Sequence, residues 1–296
     1  MGFFSWRRDQ KQHRSRRTRP GFRPALESLD DRLVPSTLTV TDNLDTGVAG
    51  DGSLRGEIAA AQSGDTIVFD PSLDGQTIAL GGYGLYINKN LSIQGPGANS
   101  LAVSGGNQST VFDVAFGAQV ALSGMTIENG RSFTASGMGF GGGSFDGGGI
   151  LNSGTLTLSG DTLSGNAAVY GSGGGIANFG TLTVTGSTLS GNSATGDGGG
   201  IANEYGGTAT VTSSTLSGNR ATAGGGIYND GPMTLSGSTV TQNATYTSLP
   251  SGGGVYNDYG GTLTVFDSAV TGNSPDDVYN VGKWKHQKSQ IGKVDG

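Results

Sequence analysis

Three acidic residues recur at one place in consecutive repeats: Glu204, Asp230 and Asp258, each directly after an asparagine (Asn203, Asn229, Asn257). If those repeats stack as strands at about 4.8 Å, the carboxylates repel unless a cation sits between them. A hard cation such as Ca²⁺ takes oxygen ligands of this kind, and the same groups accept hydrogen bonds from sugar hydroxyls. Tyr228 and Tyr256 fall one residue before two of those asparagines. Aromatic rings there suit a sugar ring or a protein partner. The plainer reading of the carboxylates is a series of solvated turns. For the tyrosines, outward stacking that merely stabilises a sheet stands level with ligand binding.

Catalysis asks for more than this column offers. Glycoside hydrolysis needs two carboxyls about 5.5 or about 6.5–9.5 Å apart, and a polysaccharide lyase needs a base to take a proton. Between residues 36 and 280 the basic residues are Arg55, Lys89, Arg131 and Arg220, and His13 and His286 both lie outside that range. No catalytic residue is assigned, and no cofactor is expected beyond the Ca²⁺ that the acidic column could take. A second outward pattern is Thr-x-Thr, at Thr155/Thr157, Thr181/Thr183, Thr208/Thr210 and Thr262/Thr264, interrupted at Pro232/Thr234. Flat threonine arrays order water and bind ice. Threonine is also favoured in any solvated strand, and the interruption favours that ordinary reading.

These residues are positioned by a repeat. Gly147-Gly148-Gly149-Ile150-Leu151-Asn152 returns at 173–178, 198–203, 224–229 and 252–257. The steps between the aliphatic positions 150, 176, 201, 227 and 255 are 26, 25, 26 and 28 residues. A second asparagine keeps pace at Asn166, Asn192, Asn219, Asn243 and Asn273. A fixed period of this length is the signature of a solenoid. Within a repeat, Ile176-Ala177-Asn178, Thr181 to Thr185 and Thr188 to Ser190 alternate with period two and are separated by glycines. Such runs are short strands joined by tight turns, so each repeat predicts three strands wound once around an axis, stacked in parallel on the next. Alternation places Leu156, Leu158, Leu182, Val184, Leu235, Leu263 and Val265 inside, with Ile150, Ile176, Ile201, Ile227 and Val255 on another wall. Asn152, Asn178, Asn203, Asn229 and Asn257 follow two residues later on the same inward side. There their amides can bond from coil to coil as a structural ladder.

The remaining chain is less regular. The net charge of −6 divides into a basic opening, nine Lys/Arg against four acids in residues 1–35, and an acidic body of eight against nineteen. Residues 1–36 read as a disordered basic leader, with no apolar segment of the kind a secretory signal needs. Ser53 to Gln62 predicts the one helix, N-capped by Ser53 and covering the open end of the first coil. Gly56 should weaken that helix. Residues 66–130 are read as about four degenerate coils, 131–149 as a Gly/Ser-rich excursion, and 282–296 as a basic, aperiodic tail that either shields the last edge or frays. There is no cysteine and no apolar run that approaches a membrane helix.

Two resemblances add to this. Pro24-Ala25-Leu26-Glu27-Ser28-Leu29-Asp30-Asp31-Arg32-Leu33-Val34-Pro35 resembles the leader of large surface or exported proteins of planctomycete-type bacteria, with Asp30 where Glu is usual. That resemblance implies export to the cell envelope or beyond. Gly52 to Ile58 with Asp65-Thr66-Ile67-Val68-Phe69 resembles the opening of bacterial β-helix repeat proteins, from which Gly56 and Glu57 depart. The Gly-Gly-x-Ile/Val repeats resemble right-handed parallel β-helix proteins of the polymorphic outer-membrane-repeat type. Leu-Ser-Gly-Asn stands here in place of that family's Phe-x-x-Asn. The expectation is an all-β, right-handed parallel β-helix over 37–281 with nine to ten coils. It would be a non-catalytic exported or cell-surface protein with a structural or adhesion-type binding role through its side wall, its partner a polysaccharide or a surface protein, with no nucleic acid expected for the β-helix. A polysaccharide-binding or polysaccharide-cleaving, pectate-lyase-like β-helix that uses calcium is the alternative.

Overall fold

The computed structural model describes residues 1–2, 34–132, 146–249 and 251–296. The chain divides into Met1–Val34 and Pro35–Gly296. The expectations for the leader over residues 3–33, and for the excursion over 133–145, lie outside the described residues. Pro35–Gly296 is a parallel β-solenoid of about nine turns.

Its strands form four all-parallel walls of ten, nine, nine and five strands. The threonine wall carries Thr155–Ser159, Thr181–Thr185 and Thr208–Thr212; the serine wall carries Thr162–Ser164, Thr188–Ser190 and Thr215–Ser217. The tyrosine wall carries Ile150–Asn152, Ile176–Asn178, Ile201–Asn203, Ile227–Asn229 and Val255–Asn257. The fourth, which the three-strand expectation lacked, consists of two-residue strands such as Ser193–Ala194, whose buried Ala168, Ala194 and Ala221 form a small core of their own. Two residues give too little alternation to be seen in the sequence.

Register is strict. Ile150, Ile176, Ile201, Ile227, Val255 and Val278 pair in turn, and all six are completely buried. The aliphatics assigned to the interior of the threonine wall are buried as expected, among them Leu156, Leu158, Val184 and Leu235 at 0%. A one-residue slip would turn each of these sets to solvent, which is why the alternation fixes the pairing. The triple glycines serve two needs. The first of each takes a left-handed conformation, as in Gly224 at φ 62°. The second has no room for a side chain: a Cβ on Gly225 would lie 2.5 Å from the carbonyl oxygens of both Ala244 and Gly253.

Two asparagine ladders run the length of the regular coils. In the first, Asn152, Asn178, Asn203, Asn229 and Asn257 each donate Nδ2–H to the Oδ1 of the next, the last to Asn280, at 2.7–2.8 Å. In the second, Asn166, Asn192, Asn219 and Asn243 each donate Nδ2–H at 2.9 Å to the following Oδ1, which also accepts a backbone N–H. That ladder ends on Asp277, whose Oδ1 accepts both the N and the Nδ2 of Asn273. A carboxylate only accepts, so it closes a column in which every amide donates in one direction. A third column links backbone N–H groups to the hydroxyls of Ser187, Ser214, Ser238, Ser268 and Ser289. Asp161 heads it, accepting from Met125 N and Ser159 N.

The helix spans Leu54–Ala60, with Ser53 Oγ accepting from Gly56 N as its N-cap. Leu54 and Ile58 join the main core. Lys89 Nζ donates to the carbonyls of Ile58 and Ala61 at the other end, where a cation complements the helix dipole. Gly56 corrects its expectation. A Cβ there would collide with Asp51, Val48 and Ser53, so glycine is required by packing whatever its helix propensity.

Two further expectations change. Residues 66–132 make three coils, not the four expected, because several of their alternating pairs lie on different walls of one coil: Thr66–Phe69, Leu91–Gln94 and Gln119–Ser123 are the successive strands of the threonine wall. The solenoid register also continues past 281. Lys283–Gln287 pairs with Thr262–Phe266, and Gln290–Ile291 and Val294–Asp295 extend two other walls. Trp284 and Ile291 pack on the end of the core.

Candidate functional site

The middle residue of each strand in the tyrosine wall faces away from the main core, although Ala177 and Ala202 have no exposed surface. Read along the solenoid the column is Tyr86, Asp113, Leu151, Ala177, Ala202, Tyr228, Tyr256, Tyr279 and Asp295. Tyr228 and Tyr256 are neighbours, as the repeat predicts, and Tyr279 extends them. The ring centroids lie 5.7 and 5.0 Å apart with interplanar angles of 21° and 24°. The rings therefore turn their faces to one another. The faces between these rings are taken up by one another and are closed to a sugar ring.

The acidic residues flank it on both sides. The turn entering the wall, just before the triple glycines, carries Asp146, Ser172 and Asp197, and the residue leaving it is Glu204, Asp230 or Asp258. Glu204 joins the two sides. Burial first, then the charges of Asp146, Asp197 and Asp230, push its carboxyl up to about 7, against a stabilising bond from Ser172. Burial likewise raises Asp146 and Asp197, the latter also through the charge of Asp258. Asp113 is raised by burial alone. Asp258 is held differently: Tyr228 Oη donates to its Oδ2 at 2.6 Å and Tyr259 N to its Oδ1 at 2.8 Å. Burial and that bond push the Tyr228 hydroxyl far above its usual value.

The three carboxylates expected from the sequence thus leave the wall in successive coils and have different partners. Asp230 acts on Glu204, whereas Asp258 is engaged by Tyr228 and Tyr259. Among the described residues no three His, Asp or Glu side chains form a group that could hold a metal ion. Asp146, Asp197 and Tyr279 were missed. The signal for the first two was Asp directly before Gly-Gly-Gly at 146 and 197, and for the third a Val-x-Asn at 278–280 without its triple glycine.

Exposed rings stand around the groove rather than in it. Phe116, Tyr205 and Tyr259, in the turns leaving the wall, are 92, 84 and 83% exposed, and Tyr170 is exposed on the entering side. The basic residues nearest in sequence are engaged elsewhere. Arg55 pairs with Asp45 and donates to the carbonyls of Tyr83 and Gly84, and Arg220 lies 4.8 Å over the ring of Tyr246. No protein-family model, no curated protein and no solved structure matches the chain.

Proposed function

We propose that this chain is a non-catalytic, exported surface protein that binds a polysaccharide along its tyrosine wall, in the manner of an adhesin. The observation that carries the reading is the carboxyl cluster beside the wall: the charges of Asp146, Asp197 and Asp230 all act on the Glu204 carboxyl, and Tyr205 and Tyr259 are exposed in the turns that follow. Carboxyls accept hydrogen bonds from sugar hydroxyls, and exposed rings supply apolar area against the sugar's C–H face. Export is supported by the leader resemblance over 24–35, and the outer-membrane-repeat affinity by the Gly-Gly-x-Ile/Val motif. The test is retention of the full chain on a panel of insoluble polysaccharides. The reading expects retention that falls at least tenfold in Tyr205→Ala/Tyr259→Ala. Equal retention by that variant, or binding only to a basic protein, would overturn it.

One observation favours a second reading, polysaccharide cleavage. A carboxyl pushed up to about 7 by burial and by neighbouring acidic side chains is what a general acid in glycoside hydrolysis requires. Release of reducing ends that disappears in Glu204→Gln would establish it. Calcium belongs to the same groove: a calorimetric titration with Ca²⁺ that saturates for the wild type and not for Asp230→Ala would place a cation between the acidic turns.

A further inference from the structure

The threonine wall is independent of that groove and carries a different chemistry. Its outward positions form aligned columns across five coils. Thr157, Thr183, Thr210, Thr234 and Thr264 make an unbroken one, and Thr155, Thr181, Thr208, Pro232 and Thr262 run beside it. A third column follows with Ser159, Thr185, Thr212, Ser236 and Phe266. The interruption read from the sequence is therefore one residue, Pro232, at the edge of the array. Its centre is intact.

Charge sets this wall apart. From Thr37 and Thr39 through Thr66, Ser92, Gln94, Gln119, Ala121 and Ser123 to Phe266, no outward residue of its first nine strands is charged. This holds in a body that carries nineteen acidic and eight basic residues after position 35. Charge returns only in the tenth strand, with Lys283 and Lys285 at the ends of the threonine columns. Ionic and strongly hydrated partners find nothing to pair with on such a face. A neutral, ordered surface does.

We propose that the outward face of the threonine wall binds ice. Parallel coils space the hydroxyls about 4.8 Å apart along the axis, and residues two apart on one strand lie roughly 6.7 Å apart. This rectangular grid is close to the oxygen repeats of an ice surface in both directions. Threonine suits the task because its β-branched side chain is stiff at χ1, so hydroxyl and methyl hold fixed positions. The hydroxyls bond to lattice water and the methyls exclude mobile water between them. The fully buried strand interiors beneath, Leu182, Val184, Val211 and Leu235 at 0–1% exposure, keep the grid rigid.

The test is nanolitre osmometry on the full chain at millimolar concentration with a seeded ice crystal. Faceted crystals and a freezing point held below the melting point are expected. Thr210→Lys, at the centre of the array and with an unchanged thermal unfolding curve, should lose that gap, and Pro232→Thr should widen it. Round crystals with no gap for the wild type, or a gap that Thr210→Lys leaves unchanged, would overturn the proposal. So would retention on a neutral insoluble polysaccharide through this wall without any effect on ice.

Discussion

The hydroxyl of Tyr228 donates to Asp258 Oδ2 at 2.6 Å, one coil further along the solenoid. The bond ties an outward ring to the acidic turn of the next repeat. It is charge-assisted and partly buried, so it should be stronger than an ordinary surface contact. Tyr228→Phe is expected to lower stability by about 1–2 kcal/mol. Tyr256→Phe, whose hydroxyl makes no such bond to a carboxylate among the described residues, should cost less. Urea unfolding of the two variants separates them.

The first asparagine ladder concentrates more risk in each residue. Asn203 accepts from Asn178 and donates to Asn229, both at 2.8 Å and fully buried. Asn203→Ala strands a donor above and an acceptor below, which should cost about 2–4 kcal/mol. Asn280→Ala, at the half-exposed end, takes one acceptor from the Asn257 Nδ2, which keeps the Lys283 carbonyl, and should cost clearly less. Equal losses at the two positions would mean that the ladder does not act through its interior bonds.

Gly56 reverses the usual expectation for a helix. Propensity alone predicts a gain of roughly 1 kcal/mol for Gly→Ala. The collision of a Cβ with Asp51, Val48 and Ser53 predicts a loss of about 1–3 kcal/mol instead. Thermal unfolding of Gly56→Ala decides by sign alone.

Stability should fall as pH rises from acid to neutral. Asp161 is raised by burial from 3.8 to about 6, and Glu204 from 4.5 to about 7. A carboxyl whose folded pKa lies above its unfolded value binds its proton more tightly when folded. Its stabilising contribution is full below the unfolded pKa and is lost as pH rises through the folded one. The melting temperature should therefore drop between about pH 4 and pH 7. Asp161→Ser, which places in that column the residue its later coils use, should remove the part of the drop up to pH 6. Glu204→Gln should remove the part extending to pH 7. Asp65 and Asp70, lowered by hydrogen bonds, act oppositely and only in stronger acid. A flat profile in the wild type would refute the burial of these two groups.

Much of this architecture was legible in the chain. The period of 25–28 residues, the alternation of Thr181 to Thr185 and the recurrent Ile-x-Asn fixed the winding, the inward aliphatics and the first ladder, because strand periodicity and strict register leave one way to bury them. Short or unrepeated features were not legible. The two-residue alanine strands carry too few residues for a pattern, and the coils of residues 66–132 lack the Gly-Gly-Gly-Ile-x-Asn that marks the later ones. The tail from Lys283 looked aperiodic because charged residues occupy strand positions at the end of a sheet, where no further coil demands apolar ones.

The candidate groove divides the same way. Sequence by itself placed Glu204, Asp230 and Asp258 in one column and Tyr228 beside Tyr256, since both follow from repeat spacing. Only the tertiary structure could add Asp146 and Asp197 across the wall, give Asp258 to Tyr228, and turn the tyrosine faces toward one another. Those relations depend on how far a turn reaches over its neighbour and how much water it excludes. One-dimensional spacing carries no information on either quantity.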